Sequence, residues 1–159
     1  MSFFPRNPLS EEAAKAVCSE LQKGLVALID LALVGKQAHW AVFGTQFLSV
    51  HLKLDEVVAT ARDGGDTVAE RMAQLGHAPD GRLATLQSQS PYEAYPEGFV
   101  PVQQTLTLVC DRLHKCSAVL REIRKPISDH DAPTDDLLQG IIEPIEEHLW
   151  MLQAMEKNG

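Results

Sequence analysis

The stretch KQAHWAVFGTQFLSVHLKLDE, residues 36–56, carries His39, His51 and Asp55, and DTVAE a little further on adds Asp66 and Glu70. Imidazole nitrogens and carboxylate oxygens, with no thiolate among them, suit iron, manganese or zinc. A mixed set of this kind points to redox or hydrolytic chemistry rather than to a closed structural site. The acids are spaced for a helix: Asp55 follows His51 by four residues, and Glu70 follows Asp66 by four, so each pair stands on one helical face.

Rotation and rise along that helix then separate the pairs. With His51 taken as zero and roughly 100° per residue, Asp55 falls near 40°, Asp66 near 60° and Glu70 near 100°, whereas the apolar line clusters near about −85°. The four side chains share a face that their own bundle does not bury. Asp55 and Asp66 are eleven residues apart, about 17 Å along a helix, so one ion cannot reach both pairs. One chain therefore supplies two half-sites. An antiparallel two-fold partner, crossing near residues 60 and 61, would set His51 and Asp55 of one copy opposite Asp66 and Glu70 of the other, twice over. Ala59, Thr60, Ala61, Gly64 and Gly65 cluster near that crossing and would permit close approach of the backbones.

His39 and His51 are symmetric about Thr45. In an antiparallel helical hairpin they lie at one height, and His39 joins the first half-site. Taken singly, His39 reads as a buried core histidine and the acids as a solvated face; the joint geometry outweighs both readings.

Four helical patterns must position these groups. The first starts at PLSEE, with Ser10 as N-cap and acids in the first turn, follows Leu21, Leu25, Leu28 and Ala32, and runs to about Trp40. A turn at Gly44 leads to the second, with Phe47, Val50, Leu54, Val57, Ala61, Val68 and Met72 on its apolar line. Seven residues separate Ala61 from Val68, so the stripe crosses Gly64 and Gly65 without slipping, and one unbroken helix is expected. A long connection through RLATLQSQSPYEAYPEGF, with room for a short helix, precedes the third helix from Val102 to Ile127. SDHDAPT breaks the pattern, and the fourth helix is expected from about Thr134, kinked or irregular at Pro144. No strand is expected. The fold class is all-α: a four-helix bundle over residues 10–157 with one long crossover, preceded by a short tail at residues 1–9.

Composition sets the outer bounds. A chain of 159 residues, 45% hydrophobic and 23% charged, makes one ordinary globular domain. No run approaches a membrane span and the start lacks a signal-peptide pattern, so a cytoplasmic protein is expected. Cys18, Cys110 and Cys116 are odd in number and lie in apolar helical patterns, so they read as buried small hydrophobes. The net charge of −8 opposes binding to phosphate backbones and is compatible with gathering cations. A di-iron site inside one bundle would need Glu-x-x-His on two helices, and that motif does not occur; the nearest is Asp111-x-x-His114.

The pattern H-x(11)-H-x(3)-D-x(10)-D-x(3)-E resembles the signature of the Dps family, the mini-ferritins. DTVAERMAQLG, EAYP, IRKPI and EEHLWML extend the likeness over most of the chain. The resemblance implies a ferritin-like fold and a hollow homo-oligomer of twelve subunits that stores iron. It implies ferroxidase sites at dimer interfaces, with His39, His51 and Asp55 from one subunit and Asp66 and Glu70 from its neighbour. Hydrogen peroxide is the implied oxidant, with protection against oxidative damage as the result. Trp40 matches a family tryptophan placed to quench oxidising intermediates; as a bare residue it reads equally as an interface anchor. Asp131, Asp135 and above all Asp136 match acids that line an iron-entry pore; alternatively they complement a helix dipole.

The family's lysine-rich DNA-binding tail has no counterpart. Arg6 is the one basic residue before the first helix, and the C-terminal EKNG holds one lysine. Twelve copies at −8 would carry about −96, a field that repels DNA. A nucleoid-coating protein with little metal chemistry is the rival reading, and it requires the basic patch this sequence lacks.

Overall fold

The computed structural model describes residues 3–156; Lys157, the lysine of EKNG, lies outside them. The elements run α1 (Glu11–Ala41), β1 (Val42–Phe43), α2 (Phe47–Gln74), α3 (Leu83–Gln89), β2 (Val100–Pro101), α4 (Val102–Ser128) and α5 (Ala132–Glu156). Ser10 caps α1, its Oγ accepting from the Ala13 N–H at 3.2 Å, with Glu11 and Glu12 in the first turn. The hairpin into α2 needs backbone that ordinary residues avoid: Gly44 has φ +112° and Gln46 +68°. At Gly44 only the absence of a Cβ makes this conformation easy.

α1 packs on α2 and α4, and α5 closes the ring against α4 and α2. Leu21, Leu28, Leu31, Leu54, Leu106, Leu113, Leu120 and Ile145 fill the space between them and are fully buried. The three cysteines are buried and free, and burial pushes the thiols of Cys18 and Cys116 up to about 11 and that of Cys110 to about 12. Among the described residues no helix is long and apolar enough to cross a membrane.

The crossover carries the short helix α3. Tyr92 ties it to α1, its hydroxyl donating to the Ala27 carbonyl at 3.1 Å, and buried Arg112 of α4 donates to the Glu93 carbonyl. The expectation of no strand needs correcting. Val42 and Phe43 pair in parallel with Val100 and Pro101. Two residues a side are too few to leave a periodic trace in sequence. The pairing returns the crossover to the end of the bundle where α2 begins, so α4 runs parallel to α2.

α2 runs unbroken through both glycines, as expected. A Cβ on Gly64 would stand 2.9 Å from Ile141 Cγ2, and one on Gly65 would face Leu28 at 3.7 Å. With Ala61 fully buried as well, these small residues serve packing within the chain. α5 lies close to where it is expected. It starts at Ala132, two residues before Thr134, with Pro133 in a first turn that needs no N–H donor. It stays helical through Pro144, so the proline ends no element and removes a single intrahelical bond.

Candidate metal centre

The hairpin between α1 and α2 brings His39, His51 and Asp55 together. Nδ1 of His39 lies 2.7 Å from the carbonyl of His51, and Nδ1 of His51 lies 2.8 Å from the carbonyl of His39. A carbonyl only accepts, so each Nδ1 carries a proton, and a ring in its neutral form has its free lone pair on Nε2. A histidine fixed in this way is prepared as a metal ligand. The two rings stack at 3.6 Å between centroids, with Phe47 5.0 Å from His51. His39 is buried, at 6% exposure, while His51 is half-buried.

Asp55 completes the group at 3.5 Å from His39 Nδ1. A residue that sequence reasoning missed holds it there: Lys36 Nζ lies 2.5 Å from Asp55 Oδ1. The Lys36 ammonium keeps the Asp55 carboxyl below the usual carboxylate range, and His39 and His51 act in the same direction. The signal was present, since Lys36 and Asp55 flank the turn at nearly equal distances, as the two histidines do. The lysine also lies 6.0 Å from the ring centroid of Trp40, which stands out from the surface at 64% exposure.

Asp66 and Glu70 are exposed, on the same continuous helix as Asp55, about 17 Å further along by helical rise. Among the described residues no three His, Cys, Asp or Glu side chains form a group able to hold a metal within one chain. Beside Asp66 a groove of about 320 Å³ between α1 and α2 is lined by Leu25, Ile29, Leu33 and Ala69. Leu33, Trp40, Phe47, Leu48 and Leu52 all leave large apolar surface exposed on this hairpin.

The three acids near the start of α5 divide. Asp131 is buried, accepting from Arg71 Nη2 of α2 at 2.8 Å and from the Thr134 hydroxyl. Asp135 takes both arms of Arg124, at 2.6 and 3.0 Å. Asp136 is exposed. The first two carboxylates are engaged inside the chain, holding α5 to α2 and α4.

A bundle of four long helices with a crossover between the second and third defines the ferritin-like class, and the family model of the ferritin-like domain matches residues 18–158. The DNA protection during starvation protein of Agrobacterium fabrum is 35% identical over 153 residues, covering 94% of this chain and 93% of that protein. Dps of Mycobacterium smegmatis superposes with a TM-score of 0.91 at 30% identity, over 98% of this chain and 94% of that one. Dps of Microbacterium arborescens, solved in a high iron form, does so with 0.89 at 29% identity, over 94% and 98%. The chain belongs to the Dps family of ferritin-like proteins.

Proposed function

We propose that this protein oxidises Fe(II) at sites shared between two copies and stores the ferric product in a hollow shell of twelve. One observation carries the reading. His39, His51 and Asp55 form an incomplete ligand set with a proton held on each Nδ1, while the acids that would complete it lie further along the same face of the same helix. Two antiparallel copies, related by a two-fold axis, bring each half to the other. The exposed apolar side chains around the half-site are the surface that such a contact would bury.

Iron is the substrate. The carboxylates of Asp55, Asp66 and Glu70 offset its positive charge, increasingly so as Fe(II) becomes Fe(III). Two Fe(II) ions give up one electron each. Hydrogen peroxide takes both with two protons, its O–O bond breaks, and two waters form, so no hydroxyl radical is released. Trp40 stands beside the site as the candidate donor should a single electron be needed. Asp136, the exposed acid at the start of α5, is the candidate for drawing iron into the shell. The high iron form of the Microbacterium relative supports iron as the metal. The name of the Agrobacterium relative supports protection of DNA as the outcome. In this acidic chain that protection is chemical, because a net charge of −8 opposes binding to phosphate backbones.

Complementation tests the shared site. His51→Ala with Asp55→Ala removes one half, and Asp66→Ala with Glu70→Ala removes the other. Each variant alone should oxidise no iron. Co-assembled in equal amounts, half the dimers are mixed and each mixed dimer regains one intact site of two, so about a quarter of the activity returns. If the mixture stays inactive while the assembly is intact, the site is not shared in this way.

A further inference from the structure

Side-chain hydrogen bonds fasten α5 to α2 towards both ends of their contact. Near the start of α5, Arg71 of α2 donates from Nε to the Thr134 hydroxyl at 2.8 Å and from Nη2 to Asp131 at 2.8 Å. About four turns further along α5, Nε2 of His148 lies 2.8 Å from the Thr60 hydroxyl of α2. Thr60 stands midway between the pair His51 and Asp55 and the pair Asp66 and Glu70 on that helix. This second link therefore braces the stretch of α2 that separates the two candidate ligand pairs.

His148 is buried, at 8% exposure, and its Nδ1 is enclosed with no hydrogen-bond partner among the described residues. A neutral ring bonds to Thr60 in either tautomer. With its proton on Nε2 it donates to the hydroxyl oxygen; with its proton on Nδ1 it accepts the hydroxyl proton at Nε2. A charged ring has two N–H donors and one acceptor at hand, so an ionised donor would be buried unpaired, at a larger cost than a neutral one. Lys53 and Glu56 of α2 and Glu147 of α5 are the charged groups that act on the ring. Lys53 and Glu56 pair with each other at 2.6 Å, and Glu147 is exposed to water. Burial is the largest influence, Lys53 adds to it, and the two carboxylates oppose it without reversing it, so the imidazole is held below its ordinary range.

We propose that His148 is an acid-sensitive latch: neutral, it holds α5 against the middle of α2, and protonated from solvent, it gives up its place there and α5 loosens. An imidazole that is harder to protonate folded than unfolded contributes stability that is complete above the unfolded value of about 6.5 and is lost as pH falls below it. The Arg71 link rests on a carboxylate that stays ionised down to about pH 4, so in mild acid the His148 end opens first. The latch acts with or without iron at His51 and Asp55.

The test follows thermal unfolding of the full, iron-free chain between about pH 7.5 and 5.5, on either side of the imidazole range, beside His148→Gln. Glutamine can still bond to Thr60 but does not titrate. Over that range the parent should lose a few degrees more in Tm than the variant, and equal losses overturn the proposal. Amide hydrogen exchange of the parent, corrected for the intrinsic effect of pH, locates the change without any substitution. Residues 145–156 should gain exchange in mild acid while residues 132–138 do not. Exchange that stays flat, or that rises equally at both ends of α5, overturns the latch. Should the variant fail to fold, deuterium exchange at the imidazole C2 of His148, read peptide by peptide in the parent, decides the matter. A titration midpoint below about 6.5 supports the proposal, and one at or above it overturns it.

Discussion

His39 and His51 hold each other through their backbones: the imidazole of each donates from Nδ1 to the carbonyl of the other, at 2.7 and 2.8 Å. Neither ring is positioned independently. Replacing His39 by alanine keeps the carbonyl that holds His51 Nδ1 but removes the ring stacked on it at 3.6 Å, so it should loosen the His51 ring as well as remove a ligand. Each single alanine variant should lower the rate of iron oxidation by roughly 10- to 100-fold, as loss of an orienting partner does. The double variant should be little worse than the weaker single. Stopped-flow absorbance of ferric product measures this, and losses that simply multiplied would show the rings to be independent.

Lys36 occupies the carboxylate that a metal would need. Its ammonium lies 2.5 Å from Asp55, and two like unit charges repel by about 1 kcal/mol at 4 Å in water, about twice that when one is a divalent ion. Lys36→Met should tighten Fe(II) binding by roughly 5- to 30-fold at neutral pH, measured by anaerobic calorimetry. It should also let the Asp55 carboxyl titrate higher, because its depression comes first from that hydrogen bond. Unchanged affinity would mean that the lysine swings away without cost.

Half-buried Arg71 and buried Asp131 form a pair that joins α2 to the start of α5. Burial raises the Asp131 carboxyl, but bonds from Thr134 and Arg71 outweigh it and the net direction is down. A depressed carboxylate stabilises the fold above its unfolded pKa of about 4, and that stability is lost as pH falls through the lower folded value. Asp131→Asn should thus lower thermal stability at pH 7, and the difference from the parent should shrink below about pH 4. Arg71→Ala should be costlier, about 3 kcal/mol, since it leaves a buried charge unpaired. Thermal unfolding followed by circular dichroism across pH checks both.

Gly64 and Gly65 are adjacent, yet substitution should act in opposite directions. Gly64→Ala drives a methyl group to 2.9 Å from Ile141 Cγ2 and should cost about 1–3 kcal/mol by overpacking. Gly65→Ala meets Leu28 at an ordinary 3.7 Å, so the gain in helix propensity, up to about 1 kcal/mol, should prevail. Denaturant unfolding of the two variants gives the signs directly.

The sequence by itself determined what helical geometry determines. Rise and rotation per residue are local and constant, so spacing alone placed His51, Asp55, Asp66 and Glu70 on one face and kept the pairs about 17 Å apart. The symmetry about Thr45 brought His39 level with His51 for the same reason. Pro144 was read as lying inside the fourth helix, and that helix runs through it. Only the tertiary structure decided which neighbour each side chain meets. It put Lys36 on Asp55, engaged Asp131 with Arg71 and Asp135 with Arg124, turned Gly64 toward Ile141, and paired Val42 with Val100. Each of these joins residues from different elements, and such contacts depend on how whole helices pack, which no local periodicity encodes.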